Sequence, residues 1–106
     1  MHVTLQTVSS MSKFDKLLRR LREMTTGANT ACRDFTALLI EFGFEVRDGS
    51  KGGHKVVTHP ALPLAEAKNY NCGHNPGTMV KKPYVKEMLK FVQHQEDALR
   101  EWIGHV

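Results

Sequence analysis

The sequence predicts one small α+β domain of 106 residues. Apolar residues recur at the helical period in three stretches, and from Phe44 the period changes to two. These observations imply a three-stranded antiparallel sheet with helices packed on one face, preceded by an extra N-terminal helix. The other face of the sheet is left for solvent or a partner. A chain of this length buries one core and has no room for a dinucleotide domain beside a substrate domain, so any active site is shallow and built from few residues.

The first helix is expected over Lys13 to Met24. Ser12 and Asp15 fit a capping box, and Phe14, Leu17, Leu18 and Leu21 fall at i, i+3, i+4 and i+7. Thr25 to Asn29 break the pattern. A second helix runs from about Ala31 to Phe42, capped by Thr30 and ended by Gly43, with Phe35, Leu38, Leu39 and Phe42 on one face. Phe44 and Val46 then alternate with Glu45 and Arg47 as a strand. The Gly49–Gly53 turn leads into a returning strand, His54 to His59, as a hairpin. A third strand is expected over Glu66 to Cys72, although Asn69 and Asn71 are poor strand formers. After a turn through Gly73 to Gly77, Pro83 sits in the first turn of a long last helix whose apolar stripe runs from Val85 to Ile103, past the polar run Gln93 to Asp97.

The chain carries 15 Lys+Arg against 11 Asp+Glu, a formal charge of +4. The excess is uneven: Met1 to Met24 and Arg47 to Lys90 are basic, and the stretches after each are acidic. A basic middle in a small domain suits a polyanion such as nucleic acid. No stretch approaches the ~18 apolar residues of a membrane span, and the start lacks the features of a secretory signal, so a cytoplasmic location without membrane contact is expected. Cys32 and Cys72 form neither a disulfide framework nor a CxxC motif and are expected as reduced thiols.

The glycine-rich turn before His54 is the most pointed chemical feature. Glycines let a phosphodiester approach the backbone, and Lys51 and Lys55 bring charge to neutralise it. His54 has the side chain that changes charge near neutral pH, as general acid or base work requires. His59 points to the opposite face of the same strand and is expected to be structural or merely exposed. Cys72, His74, His54 and His59 match no paired-ligand spacing, so no metal site is expected.

From Thr36 to Val92 the chain resembles the HicA family of toxins from toxin–antitoxin pairs. The landmarks are LLIEFGFEVRDGS, GGHKVVTHP, His74-Asn75-Pro76-Gly77 and Lys82-Pro83, in the family's order. Gly53 stands where the family has serine. The resemblance implies a fold related to the double-stranded-RNA-binding domain, with residues 30–106 as the HicA-like domain and 1–29 as an extension bearing the additional helix. It further implies a ribosome-independent endoribonuclease that cleaves mRNA and is neutralised by a HicB-type antitoxin, without metal or cofactor. His54 takes the place of the catalytic histidine. Lys51, Gly52, Gly53, Lys55, His74, Lys81 and Lys82 are the expected RNA contacts, and His74 or a water is the leaving-group acid. A binding module that holds RNA without cutting it is the alternative on the same residues. A third, a protein-interaction domain working through the last helix, is marked by insensitivity to salt.

Overall fold

Ser12 starts the first helix as its spacing demands. Its hydroxyl accepts the Asp15 N–H at 3.1 Å and donates to the Asp15 carboxylate at 2.9 Å, which closes the capping box. The structure, a computed structural model, describes residues 11–73, 75 and 77–104. His74, expected as an RNA contact, lies outside these.

The elements follow in the order α1 (Lys13–Thr26), β1 (Thr30–Ala31), α2 (Cys32–Glu41), β2 (Glu45–Asp48), β3 (His54–Thr58), a 3-10 turn (Leu64–Glu66), β4 (Lys68–Asn71), β5 (Met79–Val80), α3 (Lys82–His94) and α4 (Glu96–Gly104). The expected α+β class is therefore found, with four helices among the described residues and an antiparallel sheet ordered β2-β3-β4. Val46 faces Val57 and Lys55 faces Tyr70 across the ladders. Val57 and Tyr70 are buried with Val46 packed against the same core, whereas Glu45, Arg47, Asn69 and Asn71 are exposed. One sheet face thus meets the helices, and among the described residues the other is open.

Helix α1 contributes Phe14, Leu17, Leu18 and Leu21 to the core that also holds Phe35, Phe42, Val85 and Leu99. It is bound to the other helices by polar contacts as well. Arg100 of α4 donates to the Asp15 carboxylate at 2.6 Å and lies over the Phe14 ring at 4.5 Å, while Arg20 pairs with Glu41 of α2 at 2.9 Å.

Four details depart from the sequence reading. Thr30 does not cap α2; it pairs with Val80 in a two-stranded ladder of β1 and β5, and Ala31 precedes the helix without a side-chain cap. The third strand begins at Lys68, because Leu64 to Glu66 after Pro63 form a 3-10 turn. The long last helix is two helices, broken at Gln95. The run Gln93 to Asp97 brings no apolar side chain to the core there, and Glu96 and Asp97 favour a fresh N-terminus because their charge opposes the helix dipole.

The fourth concerns the cysteines. Expected as separate thiols, Cys32 and Cys72 have their sulfurs in bonding contact, with α-carbons 5.7 Å apart, inside the range a disulfide requires. The fold causes this by setting the first residue of α2 beside the residue that follows β4. Sequence spacing carries no information about that approach.

Candidate functional site at the glycine-rich hairpin

Strands β2 and β3 are joined by residues 49–53, whose backbone is closed at its base. The Gly49 N–H donates to the His54 carbonyl at 2.7 Å, and the His54 N–H donates to the Lys51 carbonyl at 3.1 Å. The N–H groups of Ser50, Lys51, Gly52 and Gly53 find no backbone acceptor among the described residues. N–H groups left without a backbone acceptor along a turn are donors that an anion can take.

Two glycines in this region are required by geometry. Gly53 has φ +80°, and a β-carbon there would lie 2.3 Å from the Gly73 carbonyl oxygen. A residue with a side chain does not fit this backbone, so glycine at this position has a steric cause. The sequence marks Gly49 only as a turn residue. A β-carbon on it would lie 2.2 Å from Cδ2 of His54, so the imidazole rests on the bare α-carbon of Gly49. The sole sequence signal of this role was an Asp-Gly pair at the end of a strand.

His54 is half-buried in the central strand, opposite Asn71 of β4. By strand alternation it shares the open face with Val56, Thr58, Asn69 and Asn71. Among the described residues no side-chain hydrogen bond engages its ring. Arg47 belongs to this face too and pairs with Glu45 at 2.9 Å. Lys51 and Gly52 are exposed in the turn beside His54.

The other expected contacts are distributed differently. Lys55 projects to the helix side of the sheet, where Nζ bonds the Asp48 carboxylate at 2.5 Å. There it lines a cleft of about 560 Å³ between α2 and the hairpin, together with Arg33, Thr36, Ile40, Val46 and Asn75. Lys82 spends its three donors on the carbonyls of Met24, Gly27 and Ala28, at 2.7, 2.9 and 3.0 Å. It therefore closes the C-terminal end of α1. Lys81 is exposed at the N-terminus of α3. The structure thus gathers His54, Lys51, Gly52 and Gly53 at one turn, and turns Lys55 and Lys82 to other tasks.

Of the two expectations for His59, structural or merely exposed, the first holds. It is 4% exposed, with Nδ1 accepting the Ala61 N–H at 3.0 Å and Nε2 donating to the Phe42 carbonyl at 3.0 Å. Those two bonds fix the neutral tautomer protonated on Nε2. Its ring stands edge-on between Phe44 and Trp102. Burial pushes its pKa below the usual histidine value, partly offset by the Phe42 carbonyl and Glu45.

Among the described residues no group of three or more His, Cys, Asp or Glu side chains is placed to hold a metal ion, and no helix is long and apolar enough to cross a membrane. The chemistry on offer is that of one imidazole beside backbone donors and a lysine. No protein-family model, curated protein or solved structure matches this chain.

Proposed function

We propose that this chain is a HicA-type toxin, an endoribonuclease that cuts mRNA in the cytoplasm with His54 as its general base and is restrained by a HicB-type antitoxin. One observation carries the reading: His54 lies on the open sheet face, backed by Gly49, next to a turn whose N–H groups have no backbone acceptor among the described residues. The order α2-β2-β3-β4-α3 supports the double-stranded-RNA-binding-like arrangement that the resemblance implies.

In the proposed reaction the neutral imidazole of His54 removes the proton of a ribose 2′-hydroxyl. The 2′-oxygen forms a bond to the adjacent phosphorus as the bond to the 5′-oxygen breaks. That oxygen takes a proton from water, leaving a 2′,3′-cyclic phosphate and a 5′-hydroxyl. Charge that builds on the phosphate oxygens meets the turn N–H groups and Lys51. Lys55 takes no part, because it faces away and is paired with Asp48. A single positioned base contributes on the order of 10² to 10⁴ in rate, modest for an enzyme and adequate for a growth inhibitor.

His54→Ala tests the assignment. The variant is expected to fold, to bind RNA with unchanged affinity, and to lose both cleavage and growth arrest; a chelator leaves the wild type active. Full toxicity in the variant excludes His54 as the base. Binding without cleavage by the wild type identifies the alternative, a non-catalytic RNA-binding module.

A further inference from the structure

Cys32 and Cys72 are the chain's only cysteines, and the contacts around them converge on the hairpin. The Cys72 N–H donates to the Gly53 carbonyl at 2.7 Å, and the next residue, Gly73, is the one Gly53 packs against. The Cys32 N–H donates to the Thr78 carbonyl at 2.8 Å. Cys32 therefore meets Cys72 by its sulfur and Thr78 by its amide. Cys72 and Gly73 in turn back the turn that precedes His54. Both cysteines are 3% exposed, yet both border the cleft between α2 and the hairpin.

We propose that the Cys32–Cys72 pair is a redox-operated strut that determines how firmly the His54 hairpin is held. Its regulatory meaning rests on the reading of that hairpin as the catalytic site. In the oxidised form the S–S bond fixes the end of β4 to the start of α2. Reduction by a small cellular thiol such as glutathione proceeds in two exchanges, with access through the cleft. A thiolate attacks one sulfur to give a mixed disulfide and releases the other cysteine. A second thiol then displaces the mixed disulfide, so the pair gains two electrons and two protons while the reductant leaves as its own disulfide.

Two thiol sulfurs cannot stay at a bonding distance of about 2.0 Å; they separate to roughly 3.6 Å or more, the range of non-bonded contact. The start of α2 is held by Phe35, Leu38 and Leu39 in the core. Gly73, which follows Cys72, is exposed, so the Cys72 side is the one that yields. Movement there loosens the Cys72 to Gly53 hydrogen bond and the Gly53 to Gly73 contact together.

The test is amide hydrogen exchange on the full chain, oxidised with glutathione disulfide and reduced with dithiothreitol. Mass spectrometry first checks that the oxidised chain is monomeric, without adduct, and about 2 Da lighter than the reduced one; intermolecular or mixed disulfides alone overturn the proposal. On reduction, the Cys72 and Gly49 amides are expected to exchange at least about tenfold faster relative to those of Leu18 and Leu21 in α1. A uniform rise along the chain would mean that the bond merely stabilises the fold, and no change at Cys72 and Gly49 would mean that it does not brace the hairpin. Either result overturns the proposal. Cys32→Ser should show the reduced pattern in both buffers; should it fail to fold, the wild-type comparison decides alone.

Cleavage of single-stranded RNA by the two forms separates this proposal from the one beneath it. The oxidised form is expected to cut about tenfold faster or more. Cleavage by neither form removes the nuclease reading and leaves the exchange result to judge the strut. Equal cleavage by both forms overturns the regulatory role.

Discussion

An imidazole can act as a base only where its ring is held, and Gly49 holds that of His54. With a β-carbon at Gly49 the ring has to move, since the atoms it would overlap are Cδ2 and Cγ rather than the end of a long side chain. Gly49→Ala is therefore expected to reduce cleavage by about 10²-fold, the cost of a displacement near 1 Å at a reacting group. Its unfolding midpoint in urea should stay within a few tenths molar of the wild type. A loss of stability in proportion to the loss of rate would assign Gly49 to folding instead. His59 makes the opposite case. Its lowered folded pKa means that the unfolded chain binds more protons as pH falls below the ordinary histidine value of about 6.5. Stability conferred by neutral His59 is complete above that pH and declines as pH falls toward the folded pKa. Urea unfolding between pH 7.5 and 5 should show that decline, and His59→Gln, which can keep one donor and one acceptor, should flatten it. That the two histidines lie on opposite faces of the sheet was legible in the sequence from strand alternation alone. The support from Gly49 was not, because no propensity distinguishes a glycine needed for a turn from one needed to seat a neighbour's ring.

At the scale of elements, local signals located most of what formed. The Ser12 box, the Phe14 to Leu21 stripe and Gly43 bound the first two helices as observed, since caps and periodicity are set by residues within a turn of one another. What escaped depends on contacts distant in sequence. The pairing of Thr30 with Val80, the approach of Cys32 to Cys72 and the use of Lys82 all join residues about forty or more positions apart. Lys82 shows the consequence for function, because a lysine beside a helix start reads as an RNA contact until its three acceptors are seen. Replacing it with methionine retains the stem but leaves the carbonyls at the end of α1 without their donor. Lys82→Met is expected to cost about 1–3 kcal/mol in urea unfolding, as for a lost charged hydrogen bond, with RNA affinity unchanged. A weakened affinity at unchanged stability would return Lys82 to the RNA surface.

At the scale of the molecule, α1 is a structural member of the fold. The resemblance to HicA starts well after it, yet α1 enlarges the same core, since Phe14 meets Phe42 edge-on at 5.9 Å and Leu21 is fully buried. A chain of residues 30–106 is expected to lose the sharp, cooperative unfolding transition of the full chain in circular dichroism. Leu21→Ala in the full chain should cost about 2–5 kcal/mol, the range for a buried leucine. A fragment that unfolds as cooperatively as the whole would show α1 to be dispensable. The basic surplus also has a different meaning once the parts are assembled. Arg20, Arg47, Lys55 and Arg100 pair with carboxylates and Lys82 closes a helix, while Lys51 is exposed in the turn beside His54.

The central claim, that His54 removes the ribose proton, is tested most directly by the ends it leaves on RNA. A 5′-labelled single-stranded transcript incubated with the wild-type chain in the presence of a chelator should give fragments ending in 2′,3′-cyclic phosphate. His54→Ala should give none while still retarding the transcript on a native gel. Fragments with the same ends from His54→Ala at the wild-type rate would contradict the account.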